Sequence, residues 1–323
     1  MKMMAIIAMV TASAMMCGCN GNAKSQSGSN DSDSTAKNVV FNADSAYNFV
    51  SAQCNFGPRV PGTPAHSSCE KYLVKTLNAY CDSVIVQNAS VKTFDGKDLA
   101  ISNIIGQINP DAQQRLLLLA HWDCRPWADN DPDKSKRQQP VMGANDAASG
   151  VGVLLELARI MAKNKPNIGV DILLVDAEDW GKTDDDNSWG LGTQYWAKHQ
   201  HVINYKPIFG ILLDMVGASG AQFGREYFSE QYGGGFVDEV WRLANGAGYS
   251  SYFKDVNGGA VTDDHVFVNR AGIPCIDIID MRTNGNDSGF FDGWHTTHDT
   301  MDVIDRNTLK AVGQTVANLI YEY

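Results

Sequence analysis

Apolar and polar residues follow one another along this chain in two distinct patterns. Continuous apolar runs at 115–120, 170–175, 208–215 and 274–280 have the pattern of strands buried on both faces. Other stretches carry apolar residues at three- and four-residue spacing and predict helices at 42–56, 65–80, 147–163, 193–199, 236–246, 261–270 and 307–321. In the third of these, Val151, Leu154, Leu155, Leu157, Ala158 and Met161 form the apolar side. Two further strand-like segments, 83–92 and 100–108, flank Asp95-Gly96, a hairpin turn signal. Strands alternating with helices predict an α/β fold with a mainly parallel central sheet. One polar connection, 123–141, is long for a compact domain, and loops of that length usually serve function.

The first apolar run is of another kind. Lys2 precedes an apolar segment, 3–16, that ends in Met16-Cys17-Gly18-Cys19, the layout of an export signal. It is short for a membrane span, which needs about 20 residues. It resembles a bacterial lipobox with Cys19 as the lipid acceptor. That reading makes 1–19 a lipoprotein signal peptide and the protein an exported lipoprotein, anchored through Cys19 and facing the periplasm or cell surface. Residues 20–40, rich in Ser, Asn, Gly and Asp, read as a flexible tether, leaving 41–323 as a single domain.

Composition narrows the partners. Hydrophobic content of 44% and charged content of 20% suit a soluble domain with a sizeable core. A formal charge of −11 argues against nucleic acid, whose phosphates require a Lys/Arg surplus. Of the seven cysteines, Cys54, Cys69, Cys81, Cys124 and Cys275 lie beyond the signal. Their scattered spacing makes no thiolate zinc site; they read as core residues, or as one bridge plus leftovers.

The candidate chemistry sits at the ends of the apolar runs. Open α/β sheets bind ligands beyond the C-terminal ends of their strands. There the sequence places His121, Glu178, Asp179 and Asp214, with Asp146 in Gly143-Ala-Asn-Asp146-Ala-Ala-Ser-Gly150 and His295 in a late loop. Imidazole and carboxylate ligands without thiolates suit a catalytic zinc that keeps a position open for substrate.

Together, His121-Trp-Asp123, the 143–150 motif, Glu178-Asp179, Leu213-Asp214 and His295-Thr-Thr-His-Asp-Thr300 resemble the zinc aminopeptidase and glutaminyl cyclase superfamily; Gly57-Pro-Arg-Val-Pro-Gly62-Thr matches its N-terminal loop. The resemblance covers roughly 45–320. It implies a zinc-exopeptidase-like three-layer sandwich with a mixed, mainly parallel sheet. Two activities divide the family. Cyclases hold one zinc through the positions matching Asp146, Asp179 and His295, and turn N-terminal glutamine of peptides or proteins into pyroglutamate with release of ammonia. Aminopeptidases hold two zinc ions, with His121 and Asp214 as further ligands and Asp146 as the bridge. Thr262-Asp263-Asp264-His265 follows the cyclase pattern, where aminopeptidases commonly carry Ser-Asp-His. The resemblance thus implies Glu178 as general base then acid, Asp263 and Asp214 as its carboxylate partners, and Trp294 and His265 as substrate-pocket residues. In the cyclase reading His121 lies behind the metal ligands. The chain departs from the family's usual Glu-Glu pair at Asp179, and lacks at Ala120 the disulfide that animal cyclases carry beside the first histidine. A non-catalytic binding relative would be expected to lose ligands, and this chain keeps every one.

Overall fold

The apolar runs and the hairpin assemble into a single sheet. In a computed structural model that describes residues 39–282 and 289–323, six strands lie in the order β1 (Ser83–Lys92), β2 (Asp98–Ile108), β4 (Gly169–Val175), β3 (Arg115–His121), β5 (Gly210–Asp214) and β8 (Cys275–Ile279). A second, two-stranded sheet pairs β6 (Phe223–Arg225) with β7 (Phe253–Asn257). The lipobox reading of 1–19, most of the tether and the centre of the loop after β8 lie outside the described residues. The β1–β2 hairpin turns at Thr93–Lys97, and β2 also runs antiparallel to β4, whereas β4, β3, β5 and β8 are mutually parallel. The expected mixed sheet with a parallel centre is what forms.

Among the described residues seven helices flank it: α1 (Ala43–Cys54), α2 (Pro64–Tyr80), α3 (Ala148–Lys163), α4 (Leu191–Lys198), α5 (Tyr227–Gly246), α6 (Asp264–Arg270) and α7 (Arg306–Glu322). Asn42, Thr63 and Asp305 start α1, α2 and α7 by accepting backbone N–H groups, and Pro64 occupies a first-turn position where its missing N–H costs nothing. Side-chain alternation along the strands builds the layers. Leu116, Leu118, Ile172, Leu174, Ile211 and Leu213 belong to the larger core, with residues of α1, α2, α3, α5 and α7. Leu117, Leu119, Leu173, Val175 and Leu212 face the opposite way, onto Trp196 of α4 and Val268 of α6. The result is helix, sheet, helix.

Strand order positions the site. From β3 the chain moves to β4 on one side and then to β5 on the other, so the loops after β3 and β5 diverge and open a crevice at the strands' C-terminal ends. Gly150 lets α3 close on it: a Cβ there would lie 2.1 Å from the Leu213 carbonyl oxygen.

Three local expectations change. Helix α5 begins at Tyr227 rather than 236, because Gly233 has non-helical φ/ψ of −145° and 29° and the surrounding glycines interrupt the apolar spacing. The short strands β6 and β7 carry too few residues to show a period. Helix α6 starts at Asp264, with Asp263 as its cap. All five described cysteines are free, four of them buried, so they are core residues without a bridge. No described helix is long and apolar enough to cross a membrane.

Candidate metal and catalytic site

Each strand end delivers its residue. His121 closes β3, Asp214 closes β5, Glu178 and Asp179 follow β4, and Asp146 lies in the turn entering α3. His295 comes from the loop after β8. Asp146 joins two groups: its Oδ1 is 2.9 Å from His121 Nε2, and its Oδ2 is 3.7 Å from His295 Nε2. His121 Nε2 is also 3.2 Å from Asp214 Oδ1, and His295 Nε2 is 3.2 Å from Asp179 Oδ1. Ligand atoms of Asp146, Asp179 and His295 lie within 4.8 Å of one another, as do those of His121, Asp146 and Asp214. All five residues are buried. Nitrogen and oxygen donors converging in a buried crevice fit a zinc ion of the catalytic kind, since buried carboxylates in such number require a positive charge among them. The structure therefore brings together five of the six residues that the strand ends pointed to, and the sixth, Glu178, adjoins Asp179 in the chain.

Backbone geometry is unusual here. Ala177, Met215 and His295 have φ of 52°, 49° and 53°, three of the six non-glycine residues with positive φ among those described. Such conformations cost energy and persist where surrounding contacts enforce them.

Those contacts come from residues to which the sequence reading gave no role. The Asp123 carboxylate accepts the N–H groups of Glu178 and Asp179 at 3.1 and 3.2 Å and lies 3.3 Å from His121 Nδ1. Arg125 donates to the Asp179 carbonyl at 3.0 Å and to its carboxylate at 3.3 Å, and is itself held by Asp129, whose carboxylate is 3.5 Å from His295 Nδ1. Asp299 accepts the N–H groups of Asn145 and Asp146 at 2.7 and 3.0 Å. Fully buried Arg59 donates to the carbonyls of Trp122, Met142 and Gly143, tying the 57–63 loop beneath the site. Two signals pointed this way: Asp123 follows His121 at the strand's two-residue period, and Arg125 lies in the long loop.

Electrostatics separate the carboxylates. Burial raises the Glu178 carboxyl well above its ordinary value, and the neighbouring Asp263 charge adds to this. Burial followed by Asp214 pushes Asp263 to about 7. Asp214 itself reaches about 6 through burial, with Asp146 adding and His121 opposing. Asp264 goes to about 8 by burial and by the charge of Asp263.

Trp294 is half-buried, and its ring stacks on His295 with centroids 3.8 Å apart, beside Phe290 at 4.6 Å. Met215, Phe291 and Val261 complete an apolar wall. The ring of His265, expected at the substrate pocket, is fully buried, with Nε2 3.1 Å from Glu226 and Nδ1 3.6 Å from Asp277. It forms, with Asp263 and Asp277, a third close group.

Known proteins share this fold. The family model of Peptidase family M28 matches residues 103–320. The solved glutaminyl cyclase of Porphyromonas gingivalis is 49% identical, with a TM-score of 0.86 over 88% of this chain and 100% of that one. A structure described as a leucine aminopeptidase precursor from Bacteroides thetaiotaomicron is 47% identical, with a TM-score of 0.84 over 88% of this chain and 98% of that one. Among curated proteins, the glutaminyl-peptide cyclotransferase of Bos taurus is 23% identical over 299 residues, covering 82% of this chain and 78% of its own. With a family model that matches 103–320, more than half of its length, the chain belongs to Peptidase family M28.

Proposed function

We propose that this protein is a glutaminyl-peptide cyclotransferase that converts the N-terminal glutamine of peptides and proteins to pyroglutamate, using one zinc ion held by Asp146, Asp179 and His295. The observation that carries the reading is Asp263. It is a buried carboxylate, and among the charged neighbours of Glu178 it contributes most to raising that side chain's pKa. Similarity to solved glutaminyl cyclases over most of the chain supports the same conclusion.

The chemistry follows from proton demand. The substrate's α-ammonium must lose a proton before its nitrogen can attack the γ-amide carbonyl carbon, and the departing amide nitrogen must gain one. Loss of that proton to solvent leaves the free amine; as its nitrogen attacks, Glu178, with its carboxyl raised, accepts one of the amine's two remaining protons and returns it to the leaving nitrogen as the C–N bond breaks, so ammonia departs and the lactam nitrogen keeps one hydrogen. Zinc, when bound, supplies Lewis-acid polarisation of that carbonyl. The Asp263 charge helps to keep the Glu178 carboxyl raised, and Asp214 in turn helps to raise Asp263, to about 7. Trp294 walls the glutamine side chain, and His121 holds the outer oxygen of Asp146.

Mass spectrometry of a Gln-initiated peptide tests this directly: the reading expects loss of ammonia. Glu178→Gln should cut turnover by about 10²–10⁴-fold while zinc content stays constant. Release of free glutamine instead, with two zinc ions per chain, would establish the second reading, a two-zinc aminopeptidase. That alternative has its own support, the complete ligand set His121, Asp146 and Asp214.

Export and lipid attachment at Cys19 form part of the proposal, resting on Lys2, the apolar segment and Met16-Cys17-Gly18-Cys19. Palmitate labelling of the wild type, abolished in Cys19→Ala, is the expected result.

A further inference from the structure

Glu178 follows a turn that its backbone adopts only under constraint. Strand β4 ends at Val175, the chain leaves the sheet through Asp176, and the φ of Ala177, 52°, lies in the left-handed region. That conformation costs energy for an alanine, so neighbouring contacts hold it. Leu191 and Gly190 donate their N–H groups to the carbonyls of Ala177 and Glu178 at 3.1 and 3.0 Å. On the other side the Asp176 carboxylate acts: Oδ1 accepts the Ala177 N–H at 2.8 Å, and Oδ2 accepts the N–H of Ser102 at 2.7 Å. Ile104 of β2 pairs with Leu174, which sets Ser102 opposite Asp176, one residue beyond the end of β4. A side chain, not a backbone carbonyl, thus meets the Ser102 N–H where the chain turns away.

A buried imidazole completes the arrangement. His66 Nε2 lies 2.9 and 3.0 Å from the two Asp176 oxygens, and since each oxygen already accepts a backbone N–H, the nitrogen is the donor. Both side chains are buried. Burial pushes the Asp176 carboxyl up, and among the groups that oppose this the bond from His66 counts most. His66 stands in the first turn of α2, where the positive end of the helix disfavours a protonated ring, so local structure gives no reason for a histidine there. Its partner lies 110 residues on in the chain. The same ring stacks on Trp122, the residue after His121, with centroids 4.1 Å apart. One helical turn further, Glu70 accepts the Ser102 hydroxyl at 2.8 Å and fixes α2 against β2.

We propose that His66 is a positioning residue for the reaction: through Asp176 it holds the turn at Ala177 and so fixes where Glu178 stands. The inference deepens the proposed function and rests on Glu178 as its base. Asp179 is held further along, by Asp123 and Arg125, so loss of the His66 bond falls first on the turn and the base.

Two variants separate the donor from the packing. His66→Phe keeps a ring for Trp122 and removes the donor; His66→Gln removes the ring but carries an amide nitrogen about as far along the side chain as Nε2. Each is assayed on a Gln-initiated peptide at saturating zinc, below its own melting temperature, with bound zinc measured alongside. His66→Phe should lower kcat about 10²-fold and leave KM and bound zinc unchanged, the pattern of a lost interaction that counts only in the transition state. His66→Gln should recover kcat to within about threefold of wild type. Should His66→Phe fail to fold, His66→Asn, whose amide stops short of Asp176, takes its place with the same expectation. A melting temperature that falls while kcat keeps its wild-type value, equal losses of kcat with and without the donor, or a loss of bound zinc would overturn the proposal. Product identity decides the other question in the same assay. Free glutamine in place of pyroglutamate sinks the cyclase reading, while the kcat pattern for the consumed peptide still decides the role of His66.

Discussion

Asp123 accepts the backbone N–H of Glu178 on one carboxylate oxygen and that of Asp179 on the other, at 3.1 and 3.2 Å. One side chain thus aims both the proposed general base and a proposed metal ligand, and through Oδ1 it also reaches His121. Partners that orient ligands in this way typically account for 10–100-fold in metal affinity. Asp123→Ala should lose zinc about 10–100-fold more readily in a chelator titration, with a smaller loss for Asp123→Asn, which keeps one acceptor.

Removing a neighbouring negative charge makes a carboxyl more acidic. Burial raises Glu178 first, and Asp263 raises it further. In Asp263→Asn the Glu178 carboxyl should therefore titrate lower. The base must be ionised to act, so the acid limb of kcat/KM should move to lower pH, with a reduced plateau where the proton partner is missing. An acid limb that stays in place would separate Asp263 from Glu178.

Arg125 and Asp129 work as a pair behind two ligands. The guanidinium donates to Asp179, and Asp129 faces His295 Nδ1. Asp129→Asn should weaken zinc binding about tenfold. Arg125→Lys, which cannot span Asp179 and Asp129 together, should weaken it at least as much. Isothermal titration of zinc into the stripped protein measures both.

Far from the metal, Asp171 anchors the sheet's other end. Burial opposes its ionisation, but the nearby His201 imidazole, 3.8 Å away, and hydrogen bonds from Arg115 and Tyr205 hold its carboxyl well below the ordinary value. A depressed folded-state pKa gives stability that is fully present above the unfolded value of about 3.9 and is lost as pH falls further. Asp171→Asn should cost about 3 kcal/mol or more at neutral pH, because the Arg115 charge remains without its partner. Urea unfolding should show a lower midpoint with an unchanged slope, and the difference from wild type should shrink in acid.

Chelation at neutral pH should abolish turnover, and zinc should restore it. Because a metal that binds only the folded state stabilises it, the stripped protein should also melt at a lower temperature, in proportion to the free zinc excluded.

Much of this architecture was legible because burial writes itself into sequence. Leu116–Leu119 reads as a strand covered on both faces, and Asp146, Asp179 and His295 follow from residue type and position after such runs. Less was legible where geometry is made by contacts distant in the chain. His265 sits in a motif beside Asp263, yet one helical step turns its ring toward Glu226 and Asp277. Glycines masked the first turns of α5, and strands as short as β6 and β7 have no period to read. Asp299 stood inside a recognised motif, but only folding shows that it grips the backbone of the central loop.

That grip has a consequence for assembly. Asp299 reaches Asn145 and Asp146 across 154 and 153 residues of chain, so the ligand set is closed by one of the longest loops in the molecule. Contacts of this span form late, after the entropy of bringing distant segments together has been met. A partly folded chain that lacks the last imidazole cannot complete the group of Asp146, Asp179 and His295. Zinc uptake and completion of the tertiary fold are therefore one event, and metal retention during refolding reports when the chain has finished.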